Sequence, residues 1–128
     1  MTAQTLTAIV PCNDLDASEA FYNRLGFGRH DKDTPPPGTD DSYRMLENDA
    51  GGALHLTQAV EGWVIPGRNP FGLYFYIEDV DATAAKVRDR IIEKEGPGHK
   101  PWGMYEFALS DPDGTLVRVG WPSRLRNR

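Results

Sequence analysis

One cysteine, Cys12, stands in the 128-residue sequence, so no disulfide can form within the chain. No apolar run reaches the roughly 18 residues that a membrane-spanning helix needs, and we expect no membrane partner. The N-terminus lacks the basic region and apolar block of a secretory signal, and we therefore expect a cytoplasmic protein. A net charge of −5 is the opposite of the basic surface that binds phosphate backbones, so we expect no nucleic-acid partner.

The amino-acid composition is typical of one globular domain. Hydrophobic residues make up 39% of the chain and charged residues 26%, and 128 residues are enough to bury a core. A faint internal repeat organises the chain at an offset of 65 residues, at which Asp14 matches Asp79 and Ala17 matches Ala82. We predict a single domain over residues 1–128, made of two modules of about 5–60 and 70–122 with a linker over 61–70.

Each module begins with a strand-like run that leads into a helical segment. The runs are "LTAIVP" and "FGLYFYI", and the helical segments are "NDLDASEAFYNRL" and "EDVDATAAKVRDRI". Asp16, with Glu19 three residues later, has the spacing of a capping box and is predicted as the N-cap of the first helix. The helices are predicted to end near Gly26 and near Glu95-Gly96, because glycine favours the position after a helix.

Short strands separated by turn-rich segments follow each helix. The first module contains "FGRHD", "SYRMLE" and "GALHLTQ"; the second contains "MYEFALS" and "TLVRVGW", joined by an Asp-Pro-Asp-Gly turn. The stretch "EGPGHKPWG" is predicted as a loop. The order βαβββ, repeated, predicts an α+β fold in which two modules pair their sheets around a cleft.

Two motifs at opposite ends of the repeated chain carry a family resemblance. "LTAIVP…AFYNRLGFGR" and "PWGMYEFALSDPDGTL" resemble the glyoxalase/bleomycin resistance protein/dioxygenase (vicinal oxygen chelate) superfamily, and most of all its bleomycin resistance proteins. The resemblance covers nearly the whole chain. It implies a homodimer that exchanges an N-terminal strand and holds its ligands at the subunit interface. Pro11, predicted directly after the first strand, is then either the hinge of that exchange or a simple strand terminator.

The resemblance also locates the metal ligands of the superfamily's enzymes. Those positions match Thr7, Gly72, Arg118 and a fourth place near His55 or Leu56. Threonine is a poor ligand, glycine has no side chain, and arginine is a permanent cation that repels a metal. We therefore predict no metal, no cofactor and no catalytic residue. The alternative is a metal-dependent glyoxalase/dioxygenase-type lyase or oxidoreductase with an atypical metal site.

Strand alternation turns the same positions into a map of the cleft. If Thr7, Gly72 and Arg118 face it, so do the residues two positions away, because side chains alternate between the faces of a strand. That set adds Ile9, Tyr74, Tyr76, Leu116 and Gly120. Two tyrosines and an arginine among small and aliphatic groups suit an aromatic ligand, which stacks on rings and is oriented by polar groups.

The remaining candidates each have two interpretations. The resemblance implies that Trp102, which lies next to Gly103 in the loop "PWG", stacks on a planar drug; otherwise Trp102 packs its loop onto the sheet. Trp63 either caps the cleft or anchors the linker, and His55 either lines the pocket or is hydrogen-bonded within the sheet. Cys12 has no nearby histidine to lower its pKa and is predicted to be a structural thiol.

Arg118 is the residue that does not fit a simple copy of the drug-binding proteins that the chain resembles. It either pairs with Glu106, which is otherwise a plain surface acid, or binds a carboxylate or phosphate of the ligand. Together these features predict a metal-free binding protein that sequesters a planar or aromatic ligand, such as a bleomycin-type antibiotic, by stoichiometric binding. The predicted ligand-binding residues are Thr7, His55, Trp63, Tyr74, Tyr76, Trp102, Gly103 and Arg118.

Overall fold

The computed structural model describes residues 3–29, 38 and 40–126. The chain divides into two compact units, Met1–Val64 and Ile65–Arg128, and the division falls inside the segment that was predicted as the linker. The predicted strand "FGRHD" lies partly outside the described residues, which include its first three positions.

In its described residues the first unit is a three-stranded sheet with one α-helix. Its elements are β1 (Ala8–Cys12), α1 (Leu15–Arg24), β2 (Tyr43–Glu47) and β3 (Ala53–Gln58). The strand order is β1-β3-β2, with β1 parallel and β2 antiparallel to β3. Gly28 adds a single bridge to Glu47, where the sequence predicted a further strand. Alternate strand residues such as Val10, Leu54 and Leu56 are buried, and α1 contacts β3.

Helix α1 begins earlier than its capping-box spacing predicted. The N-cap is Asp14, whose Oδ1 accepts a hydrogen bond from the backbone N–H of Ala17 at 3.1 Å. The prediction of Asp16 as N-cap was wrong, because Asp16 and Glu19 are engaged elsewhere: each accepts a hydrogen bond from Arg44 Nη1 at 2.9 Å. The two acids therefore tie α1 to β2 instead of closing the helix end.

Pro11 lies within β1, not after it as the sequence predicted. The strand continues to Cys12, and Pro11 is in register with Thr57 of β3. Proline has no N–H to donate, and β1 tolerates it because it is an edge strand of its sheet. The buried Cys12 donates its thiol to the Val10 carbonyl at 3.3 Å, in keeping with a structural thiol.

The second unit, as far as it is described, is a four-stranded sheet with one α-helix and short 3-10 turns. Its elements are β4 (Gly72–Tyr76), α2 (Val80–Lys86), β5 (Gly98–His99), β6 (Met104–Ser110) and β7 (Leu116–Pro122). The strand order is β4-β7-β6-β5, with β4 parallel to β7 and the other pairs antiparallel. The repeat recurs at the helix start, since Asp79 caps α2 through Ala82 N–H at 3.0 Å as Asp14 caps α1.

Two predictions about the second unit were wrong. Helix α2 ends at Lys86, not near Glu95-Gly96, because Ile91 bridges to Leu109 and the N–H of Ile92 donates to the Ala108 carbonyl at 2.8 Å. The sheet thus takes backbone groups that a longer helix would have used. The stretch predicted as a loop contains the short strand β5, which pairs with β6.

The sheet of the second unit has a buried face and an open face. Helix α2 contacts β6 and β7, and Phe107, Val117 and Val119 are fully buried. On the other face the register aligns Gly72 with Leu116, Tyr74 with Arg118, and Tyr76 with Gly120. This alignment confirms the predicted strand alternation and places the strand candidates Tyr74, Tyr76 and Arg118 on one surface.

The mixed α+β fold that the sequence predicted is confirmed, with two small sheets and two α-helices among the described residues. Within the part of the chain that the structure describes, neither helix has the length and apolar character to span a bilayer.

Candidate functional site

Glu106 is the centre of a hydrogen-bonded cluster on the open face of the second unit. Its side chain is 0% exposed, and both of its carboxylate oxygens accept hydrogen bonds. Oε1 accepts from the Tyr74 hydroxyl at 2.8 Å and from the Trp102 indole N–H at 3.1 Å. Oε2 accepts from Arg118 Nη1 at 2.7 Å in a salt bridge. Three predicted ligand-binding residues therefore converge on one buried acid, which we call the Glu106 cluster (Tyr74, Trp102, Glu106 and Arg118).

Strand register and one glycine make the cluster possible. Glu106 in β6 is aligned with Gly120 in β7, and Gly120 is aligned with Tyr76 in β4. A Cβ on Gly120 would collide with the Tyr74 hydroxyl and lie 2.8 Å from Glu106 Cβ. The absence of a side chain at this position lets Tyr74 reach across β7 to Glu106.

A tight turn positions Trp102. Gly103 has φ +88° and donates its N–H to the Lys100 carbonyl at 3.0 Å, while its own carbonyl accepts from Ser123 N–H at 2.8 Å. The indole N–H of Trp102 is held by Glu106, yet the residue is 59% exposed. Arg118 Cζ lies 5.7 Å from the Trp102 ring centroid, within cation–π range. Trp102 thus presents an aromatic surface in a fixed orientation.

Tyr76 supplies a second exposed ring beside the cluster. It is 65% exposed, and its ring centroid lies 5.0 Å from that of Tyr74. The surface that solvent meets at this site therefore includes the rings of Trp102 and Tyr76 and the partly exposed Arg118.

The electrostatics of the cluster hold Glu106 charged and Tyr74 neutral. Burial by itself would raise the pKa of Glu106, but the hydrogen bonds from Trp102, Tyr74 and Arg118 together outweigh it, and its pKa is lowered from 4.5. Burial and the hydrogen bond to Glu106 raise the pKa of Tyr74 well above its usual value of 10.0. At neutral pH the cluster therefore contains one carboxylate and one guanidinium.

The other predicted residues lie in the first unit. His55 Nδ1 is 2.7 Å from the Tyr43 hydroxyl, and the two rings are 5.2 Å apart, which matches the hydrogen-bonded role that was one of its two interpretations. Thr7 is half-buried and directly precedes β1. Trp63 is 79% exposed. Their ligand-binding roles stay predictions, as do those of Tyr74, Tyr76, Trp102, Gly103 and Arg118.

The residues at the family's metal positions do not fit a divalent metal. Gly72 offers no side-chain ligand atom, and Arg118 carries a positive charge that is salt-bridged to Glu106, whose oxygens already accept three hydrogen bonds. No group of three or more His, Cys, Asp or Glu side chains that could hold a metal occurs among residues 3–29, 38 and 40–126.

Glu106 lies at the centre of the candidate site, although it was not among the predicted ligand-binding residues. It was a possible partner of Arg118 and otherwise a surface acid, and the surface interpretation was wrong because the side chain is fully buried. A signal was present: counting outward from the Asp-Pro-Asp-Gly turn pairs Ser110 with Leu116, and therefore Glu106 with Gly120. That pairing leaves room above a glycine for a long acidic side chain and its partners.

Comparison with known proteins decides the family. The family model described as Glyoxalase/Bleomycin resistance protein/Dioxygenase superfamily matches residues 4–119 of this chain. The chain belongs to this superfamily. The family prediction made from the two terminal motifs is thereby confirmed.

Relatives within the superfamily are similar over nearly their whole length. A bleomycin resistance protein of Klebsiella pneumoniae is 31% identical over 131 residues, covering 93% of this chain and 92% of the relative. The crystal structure of a bleomycin-binding protein complexed with bleomycin has a TM-score of 0.72 at 26% identity, covering 93% of this chain and 98% of that chain. A bleomycin resistance determinant encoded on the transposon Tn5 also has a TM-score of 0.72 at 26% identity, covering 94% and 98%.

Proposed function

We propose that this member of the superfamily is a metal-free binding protein that sequesters a planar aromatic antibiotic of the bleomycin type, by stoichiometric binding without turnover. The observation that carries the proposal is Trp102, whose indole N–H is anchored on the buried Glu106 while most of the residue stays exposed. The similarity to proteins described as bleomycin-binding and bleomycin resistance proteins supports it.

Anchoring makes Trp102 suited to stacking. A ring that is already held by a hydrogen bond loses little conformational freedom when a ligand stacks on it, so more of the contact energy appears as affinity. Tyr76 offers a second exposed ring on the same surface. A stacked aromatic pair typically adds about 0.5–1.5 kcal/mol beyond the burial of its area.

The proposal includes a homodimer without bound metal. Ile9 and Met45, each 58% exposed on the first sheet, are apolar groups whose burial against a second copy would be favourable. The Arg118 guanidinium, at the position of the superfamily's last metal ligand, supports binding without a metal because it is already paired with Glu106. Exchange of the N-terminal strand remains part of the dimer hypothesis.

Calorimetric titration with metal-free bleomycin tests the binding function. We expect saturable binding at micromolar concentrations, and we expect Trp102→Ala to weaken it about 10-fold, through the lost stacking and area burial. Trp102→Phe keeps an aromatic ring but loses the N–H to Glu106, so its affinity should fall between the two.

The control variant is Ile92→Ala, which removes an exposed apolar side chain of the same unit outside the cluster. Its affinity should equal that of the wild type. Absence of heat and of tryptophan quenching in the wild type would refute bleomycin binding. Equal affinity of Trp102→Ala and the wild type would remove Trp102 from the site.

The mass and the metal content of the purified protein test the dimer and the absence of metal. Light scattering should give twice the mass of one chain, and elemental analysis should find less than stoichiometric zinc, iron, nickel and manganese. A monomer would contradict the dimer. One tightly held metal ion per chain, with loss of binding on chelation, would contradict the metal-free site.

A further inference from the structure

We infer that the Glu106 cluster also selects the chemistry of its ligand: the ring that stacks at Trp102 carries a carboxylate, sulfonate or comparable oxygen acceptor that binds Arg118. This inference rests on the proposed function and specifies its ligand class. It joins the two interpretations of Arg118 that the sequence left as alternatives, because one guanidinium serves Glu106 and the ligand together.

The depth of each group in the cluster supports this class of ligand. Glu106 is completely buried, and its two oxygens already accept from Tyr74, Trp102 and Arg118. The Arg118 side chain is 37% exposed. An approaching molecule therefore meets a cation and aromatic rings, while the balancing negative charge lies beneath them.

Arg118 has hydrogen-bonding capacity to spare. Among the described residues the only hydrogen bond of its side chain runs from Nη1 to Glu106, and a guanidinium has five N–H groups arranged in a planar fork. Such a fork matches the two oxygens of a carboxylate or sulfonate. The 2.7 Å bond to Glu106 holds the group in place, so little further ordering is needed when a ligand binds.

The distance between Arg118 and Trp102 sets where the acceptor must be on the ligand. Arg118 Cζ is 5.7 Å from the Trp102 ring centroid. A ligand ring that stacks on Trp102 brings the substituents on its edge close to the guanidinium. The acceptor is therefore attached to the stacked ring or within one or two bonds of it, and a cationic group at that place would be repelled by Arg118.

A matched pair of fluorescent dyes tests the inference. Anilinonaphthalene sulfonate (ANS) and N-phenylnaphthylamine share their rings and differ by the sulfonate. The measured quantity is the Kd of N-phenylnaphthylamine divided by the Kd of ANS, in which the hydrophobic contribution of the rings cancels. Arg118→Met should lower this ratio about 10-fold, the effect of one charge-assisted hydrogen bond.

The control for charge alone is Arg124→Met, which removes an arginine exposed on the same unit. Its ratio should stay within about two-fold of the wild-type value, because no contact with the ligand is lost. Arg118→Met leaves Glu106 without its cation, so the measurement is repeated in the double variant Glu106→Gln/Arg118→Met, where the same fall is expected. Trp102→Ala should weaken the binding of both dyes.

A ratio in both Arg118 variants within about three-fold of the wild-type value would overturn the inference, and a larger fall supports it. No saturable fluorescence in the wild type, or unchanged ANS affinity in Trp102→Ala, would also overturn it. The bleomycin titration separates the two proposals. Bleomycin binding through Trp102 without a sulfonate effect leaves sequestration standing, whereas a sulfonate effect without bleomycin binding refutes bleomycin as the ligand and keeps the acceptor-bearing ring.

Discussion

Glu106→Gln is expected to lower the free energy of unfolding by about 2–4 kcal/mol, below the loss for a fully buried ion pair because Arg118 is partly solvated. The glutamine amide has the shape of the carboxylate, but it carries no charge, and its NH2 group would face either the N–H groups of Arg118 or the indole N–H of Trp102. At least one of the three hydrogen bonds to Glu106 is lost in either amide orientation. Urea unfolding followed by circular dichroism measures the change.

The matched control is Glu95→Gln, the same substitution at an exposed acid of the same unit. It should change the free energy of unfolding by less than about 0.5 kcal/mol. Equal values for the two variants would show that the cluster contributes nothing to stability.

The stability difference between wild type and Glu106→Gln should depend on pH. The pKa of Glu106 is lowered in the folded protein, so its contribution is fully present above the ordinary value of 4.5. It is lost as the pH falls below 4.5 through the lowered folded pKa, because protonation removes the charge that Arg118 faces. We expect the two unfolding curves to converge in acid, and a constant difference down to low pH would contradict the assignment.

Gly120→Ala is the second substitution with a large expected effect, a loss of about 1–3 kcal/mol of unfolding free energy. The new Cβ would collide with the Tyr74 hydroxyl, and it would lie 2.8 Å from Glu106 Cβ and 3.0 Å from the Tyr105 carbonyl oxygen. The Tyr105 oxygen is part of the β6 backbone, and Glu106 Cβ is attached directly to that backbone. Neither atom can move without shifting the strand. Thermal or urea unfolding measures the loss, and dye or drug affinity should fall with it because Trp102 and Arg118 depend on the same acid.

Gly98→Ala provides a control in the neighbouring strand. Gly98 of β5 is aligned with Glu106 of β6. Its φ is not positive, and an added Cβ would meet no atom within 4 Å. The change in unfolding free energy should therefore stay within about 0.5–1 kcal/mol and tend towards stabilisation.

In a Tyr74→Phe background the loss of stability caused by Gly120→Ala should be smaller, since the hydroxyl that the new Cβ displaces is gone. An unchanged penalty there would show that Tyr74 does not respond to the substitution.

Local patterns predicted much of the fold because their causes are local. Alternation of side chains along β4 and β7 depends only on strand geometry, and the register confirms the predicted face. The repeat likewise matched Asp14 with Asp79, and in the structure these two residues cap their helices in the same way. The N-cap of α1 was wrongly predicted at Asp16, and only the tertiary structure shows that Arg44 of β2 engages Asp16 while Asp14 caps the helix.

The candidate site also has features that follow from the sequence and features that depend on the tertiary structure. The sequence by itself determined the family, the α+β class and which residues share a face with Arg118, because these follow from motifs and from the two-residue period of a strand. Only the tertiary structure decided that Glu106 is buried and that Tyr74, Trp102 and Arg118 all donate to it. The physical reason is that burial and hydrogen bonding belong to the space between strands: whether a glutamate is a surface acid or the centre of a cluster depends on the glycine that stands opposite it.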